Sequence, residues 1–196
     1  MISVDIKSLL GRLNPYCTRS LEAAAGLCVS RTHYEVAVEH MLAKLLEDPQ
    51  SDIPLILRHF DVDGGRVQKA IDQSLEEFKT GNAAKPVFSP LLMEWFQEAW
   101  LSSSVDLGEN RLRSGALMLA FLNRSSQLAT GGYVDLLTSI SRDALMAQFW
   151  DILKNSSEKP SALLEGAEEP TAPTEGTALA QFCVSTAREY DWPGGA

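Results

Sequence analysis

The sequence predicts an all-α protein: two copies of one helical repeat, forming two pseudo-symmetric four-helix units, with an extra N-terminal amphipathic helix in front. Three observations carry this expectation. Through residues 1–153 apolar residues recur at three- and four-residue spacing behind good N-cap residues, with little strand alternation. The apolar pattern then returns 76 positions later, with EHMLAKLLED (Glu39 to Asp48) over GALMLAFLNR (Gly115 to Arg124). Finally, 196 residues with 45% hydrophobic and 22% charged residues make an ordinary globular composition, enough for one domain with appendages.

The elements follow in order. Residues 1–14 hold the extra helix, Val4 to Leu13, where Ile6, Leu9, Leu10 and Leu13 share one face and Asp5, Lys7, Ser8 and Arg12 lie elsewhere. The double repeat is expected over residues 15–153. Pro15 to Val29 starts behind the N-cap Asn14 with Pro15 in the tolerated first turn, and its LEAAAGLC body permits close helix approach. Val36 to Glu47 carries Val38, Met41, Leu42, Leu45 and Leu46 on one wide stripe and reads as a central core helix. Ile53 to Phe60 and Val67 to Lys79 complete the first copy, and TGNAAKPV (Thr80 to Val87) connects to the second. There the helices are Pro90 to Ser102, Leu112 to Leu122, Tyr133 to Thr138 and Arg142 to Leu153. The copies stay aligned to their ends: VDGGRV (Val62 to Val67) falls over ISRDAL (Ile140 to Leu145), and Ile71 and Leu75 meet Phe149 and Leu153. Gly64-Gly65 and Gly131-Gly132 read as turns, and the run Ser102 to Ser104 as a helix end.

Past residue 153 the texture changes. Residues 154–176 contain three prolines, no aromatic residue and five glutamates against two lysines, a composition that reads as a disordered acidic linker. Residues 177–196 regain apolar character in ALAQFCVSTAREY before DWPGGA.

Little in the chain points to catalysis. With 26 acidic against 17 basic residues the formal charge is −9, which disfavours a nucleic-acid partner. No apolar run reaches membrane-spanning length and no secretory signal opens the chain, so neither a membrane partner nor export is expected, and a cytoplasmic location is the default. Cys17, Cys28 and Cys183 are too scattered for a disulfide framework or zinc site, and Cys17 and Cys28 on one helix would stand roughly 16 Å apart. His33, His40 and His59 form no ligand motif, and capping or packing accounts for them better than a metal. There is no GxxxxGK[ST] loop and no GxSxG elbow, so no catalytic residue, metal or cofactor is assigned. What remains is binding. The extra helix and the aromatic start of the second copy (Phe88, Leu91, Leu92, Trp95, Phe96) either pack into the core or frame a groove for a partner helix.

The doubled pattern, with EHMLAKLL in one copy and RSGALMLAFL in the other, resembles the N-terminal domain of the Clp/Hsp100 AAA+ unfoldases, a double Clp repeat. RLNP, LEAAAGLC, SRTHYEV and EH, followed by DIPLILRHFDVD, FKTGNA and FSPLL, are similar to the ClpV (TssH) family of type VI secretion, over residues 1 to about 153. That resemblance implies a recognition domain without chemistry of its own, serving a hexameric unfoldase that takes contracted sheath apart for recycling. Its implied ligand is an N-terminal helix of the larger sheath protein, TssC or VipB, held in an apolar groove. On this sequence the groove candidates are Ile6, Leu9, Leu10, Leu13, Phe88 and Leu92. Such a chain should lead from ALAQFCV into ATPase modules, whose Walker residues are not among these 196, so binding without ATP turnover is expected, from a monomer. A general Clp-type adaptor or docking domain, for a protease or disaggregase, is the alternative.

Overall fold

Short polar and proline-bearing punctuation sets the helix boundaries. The computed structural model describes residues 5–159. Among them, α1 (Ile6–Gly11) is capped by Asp5, whose carboxylate accepts from the Ser8 N–H at 3.2 Å. Asn14 caps α2 (Pro15–Ser30) through the Cys17 N–H at 2.8 Å, with Pro15 opening the helix. Next come β1 (Glu35–Val36), α3 (Val38–Leu45), α4 (Asp52–His59) and α5 (Gly64–Glu76). The second copy holds β2 (Val87–Phe88), α6 (Pro90–Ser102), α7 (Ser114–Leu128), α8 (Gly132–Thr138) and α9 (Arg142–Leu153).

Two local expectations are corrected. Gly64 and Gly65 are not a turn: Asp63 caps them from its carboxylate, 2.9 Å from the Gly65 N–H and 3.3 Å from that of Arg66, so they form the first turn of α5. Nor does the helix end at the serine run. The backbone continues from α6 into a π-helical turn, Ser103–Leu107, and stops where Gly108 adopts a left-handed φ of 64°.

The two copies are related by pseudo-twofold symmetry, visible in the two places where extended backbone pairs among the described residues. Val36 pairs in parallel with Phe88, and Leu13 with Leu112. Leu13 and Phe88 each lie two residues before the proline that opens α2 or α6, while Val36 and Leu112 each lie two residues before α3 or α7. The bridges are therefore symmetry mates, and each joins one copy to the other.

Packing repeats in the same way. The helix pair α2 and α3 matches α6 and α7, and α3 against α5 matches α7 against α9. The short helices cross over. α4 packs mainly on α7 and α9 of the second copy, and α8 mainly on α5 of the first. One continuous core results, with Trp95, Phe96, Phe121, Tyr133 and Phe149 at its aromatic centre. Burying such rings contributes about 2–3 kcal/mol each. The Trp95 indole N–H, which would otherwise be stranded, donates to the Leu117 carbonyl at 2.8 Å.

The first residues of the expected linker pack against the folded body. Ser156 and Glu158 are buried, although both follow Leu153 in the polar segment. The remainder of that segment, and the expected lead-in at 177–196 with Cys183, lie outside the described residues.

Candidate partner-binding face

The extra helix α1 lies on α6. Its C-terminal end is held by two arginines: the Arg12 guanidinium stands 5.1 Å over the Trp100 ring, and Arg111 Nη1 donates to the Gly11 carbonyl at 2.8 Å. Asp5, Lys7 and Ser8 face solvent along α1, and Ile6 and Trp100 are half-buried.

The structure separates the six residues expected to line a groove. Leu9, Leu10 and Leu13 are 2% exposed, and Phe88 and Leu92 are fully covered. All five belong to the core, and only Ile6 keeps part of its surface. The reason is the symmetry. Leu13 and Phe88 hold the two inter-copy bridges, and Leu92 sits where Cys17 sits in the first copy, on the inward side of its helix. Sequence periodicity marks a face as apolar whether another helix or a partner covers it.

Exposed apolar groups lie elsewhere. Leu101 and Val105 stand out from the end of α6 and the π turn, Val105 at 80% exposure. Tyr34 and Leu91 flank a cleft of about 500 Å³ around the starts of α3 and α6, lined also by His33, Glu39, Phe78 and Lys79.

Beneath that cleft the titratable groups are spent on structure. His40 Nδ1 accepts the Ala37 N–H at 2.9 Å and so caps α3, while its Nε2 meets His33 Nδ1 at 2.8 Å. Burial, then the neighbouring charges of His33 and Arg31, push the His40 pKa down to about 3, so the ring is neutral. Tyr133 donates to Glu39 at 2.7 Å, and burial raises both groups above their ordinary values. Among the described residues no cluster of His, Cys, Asp or Glu could hold a metal ion, and no helix is long and apolar enough to cross a membrane. The buried carboxylates and imidazoles here are bonded to groups of the chain itself.

Solved structures similar to this chain are N-domains of ClpV. An N-domain of ClpV from Vibrio cholerae superposes with a TM-score of 0.77 at 38% identity, over 81% of this chain and 95% of that one. A structure described as the complex of a ClpV N-domain with a VipB peptide gives a TM-score of 0.74 at 36% identity, over 81% of this chain and 98% of that one. The AAA+ ATPase ClpV1 of Pseudomonas aeruginosa is 25% identical over 178 residues, 90% of this chain. This chain spans about a fifth of the length of the curated relatives it matches. Residues 12–131 match the family described as the Clp repeat (R) N-terminal domain. Doubled helices, crossed short elements and solved counterparts over the same span agree: the chain belongs to the Clp N-terminal domain family, and its likeness is to the ClpV members of it.

Proposed function

We propose that this chain is the substrate-recognition domain of a type VI secretion unfoldase, acting in the cytoplasm. It binds an N-terminal helix of the larger sheath protein, TssC or VipB, on the face that α1 shares with α6, so that contracted sheath is disassembled and recycled. The observation that carries this reading is the likeness to a ClpV N-domain solved with a VipB peptide, which extends over nearly all of that domain. The position of α1 supports it, because the Clp repeat match begins at residue 12, immediately behind this helix. Leu9, Leu10, Leu13, Phe88 and Leu92 anchor the face from beneath, and Ile6 offers the surface a partner helix would cover.

A titration of the 196-residue protein with a TssC N-terminal peptide tests this, with micromolar affinity expected, about −8 kcal/mol. Ile6→Arg should weaken binding by tenfold or more, about 1.4 kcal/mol, with an unchanged circular dichroism spectrum. Arginine at Leu10 or Phe88 would report on folding instead, since both are core. Wild-type affinity in Ile6→Arg moves the site away from α1. Absence of TssC-peptide binding by the unaltered protein would favour the second reading, a general Clp docking domain, for which the match over residues 12–131 is the supporting observation.

A further inference from the structure

After α9 the chain turns back on itself. Lys154, Asn155, Ser157 and Lys159 are exposed, whereas Ser156 and Glu158 enter the molecule between the two copies. The Glu158 carboxylate is received by donors from three helix starts. Oε1 accepts from Asn14 Nδ2 at 3.0 Å, at the N-cap of α2, and from the Ser114 N–H at 2.9 Å, the first residue of α7. Oε2 accepts from the Asp52 N–H at 2.8 Å, the first residue of α4, and from the Ser114 hydroxyl. The Cys17 thiol lies 3.8 Å from Oε1. Helix starts carry unpaired N–H groups and a partial positive charge, so their convergence makes a seat for an anion.

The segment around Glu158 is fastened at each side. Ser156 donates its hydroxyl to Asp52, the Ser157 N–H donates to the Gln50 carbonyl at 2.8 Å, and the Ser157 hydroxyl to Asp48 at 2.8 Å. Asp52 in turn takes a bidentate pair from Arg113, at 2.6 and 2.8 Å, and the Gly115 N–H at 3.0 Å. The first copy holds all three residues, and the second holds Glu158 through Ser114.

The other half of the molecule shows what the seat is without them. The symmetry-related place, at the starts of α3 and α6, is the open cleft, bordered after α5 by Phe78 and Lys79. Its anion is internal. Glu39, in the first turn of α3, supplies a carboxylate from the helix itself, whereas its counterpart in α7 is Gly115. Gly115 leaves room: a Cβ there would come within 2.9 Å of Asp52 Oδ2. The second half thus takes its carboxylates from outside α7, one from α4 and one from the segment after α9.

We propose that Ser156-Ser157-Glu158 is a releasable latch, with Glu158 acting as the chain's own ligand in a carboxylate seat built by α2, α4 and α7. Closed, it fixes the point at which the chain leaves the domain; open, it leaves a seat that takes a free carboxylate. The Arg113 guanidinium pairs with Asp52, and burial, then the charge of Asp52, raises the Glu158 pKa. The latch is therefore held by helix starts and hydroxyls rather than by an ion pair of its own. It does not depend on which partner the domain binds.

Trypsin cleavage after Lys154, between α9 and the latch, reads its opening in the full 196-residue protein. Glu158→Ala removes four hydrogen bonds to the carboxylate and should raise the cleavage rate at least about tenfold. Acetate, compared with chloride at equal ionic strength, should raise the melting temperature of Glu158→Ala while leaving the wild type unchanged. Should Glu158→Ala fail to fold, Glu158→Gln is read by amide exchange at Asp52 and Ser114, which should quicken there and not in α6. Cleavage or exchange within twofold of wild type overturns the latch, and an acetate response no greater than that of the wild type overturns the carboxylate seat.

Discussion

His40 illustrates how a single residue carries more than its sequence context indicates. Its ring closes α3 through Nδ1, meets His33 through Nε2, and lies 5.5 Å from the Phe78 ring, with the Arg31 charge opposing its protonation. Because its folded pKa lies near 3, well under the value of about 6.5 in an unfolded chain, the unfolded state binds more protons between those limits. Stability from this group is complete above pH ~6.5 and is lost as pH falls towards ~3. Unfolding free energies from urea titrations between pH ~7 and ~5 should fall by up to about 1.4 kcal/mol per pH unit from this group, and His40→Asn should flatten that slope. Capping or packing is the legible reading of this histidine, since no ligand spacing surrounds it. Gly115 is the opposite case. In the aligned copies it simply stands opposite Glu39, and only the packing shows that a Cβ would meet Leu153 at 2.8 Å as well as Asp52.

At the scale of elements, periodicity and caps carried most of the reading. α6 starts at Pro90 and α9 runs from Arg142 to Leu153 as expected, because their start signals are local. The misreadings also have local causes. A glycine pair resembles a turn, yet Asp63 supplies the acceptor that lets α5 begin there. Replacing Asp63 with Ala should cost about 1 kcal/mol in a denaturant titration, within the usual range for a lost cap. A change below a few tenths would mean that tertiary packing alone starts α5. The serine run likewise reads as an end, but α6 runs on through a π turn until a left-handed glycine stops it.

For the whole molecule the crossing of α4 and α8 dominates. Ile53, Ile56 and Leu57 of α4 are fully or almost fully buried, and the helix gives its face mainly to α7 and α9 of the other copy. Neither copy encloses its own core. Residues 15–80 alone should therefore lack cooperative unfolding by near-ultraviolet circular dichroism, whereas the full chain should unfold in one transition. A folded, cooperative fragment would contradict the exchange. The number, order and approximate limits of the helices, and their arrangement in two copies, were determined by the sequence alone, since a 3.6-residue period and capping chemistry act over one or two turns. What covers each apolar face was decided only by the tertiary structure. The stripes of α1 and α6 look alike whether a partner or the core lies against them, and the pairing of Leu13 with Leu112 and Val36 with Phe88 joins residues far apart in the chain. For the same reason Glu158, in a segment whose composition marks it as linker, is a buried ligand: burial is set by the three helix starts around it, and composition does not record where those helices point.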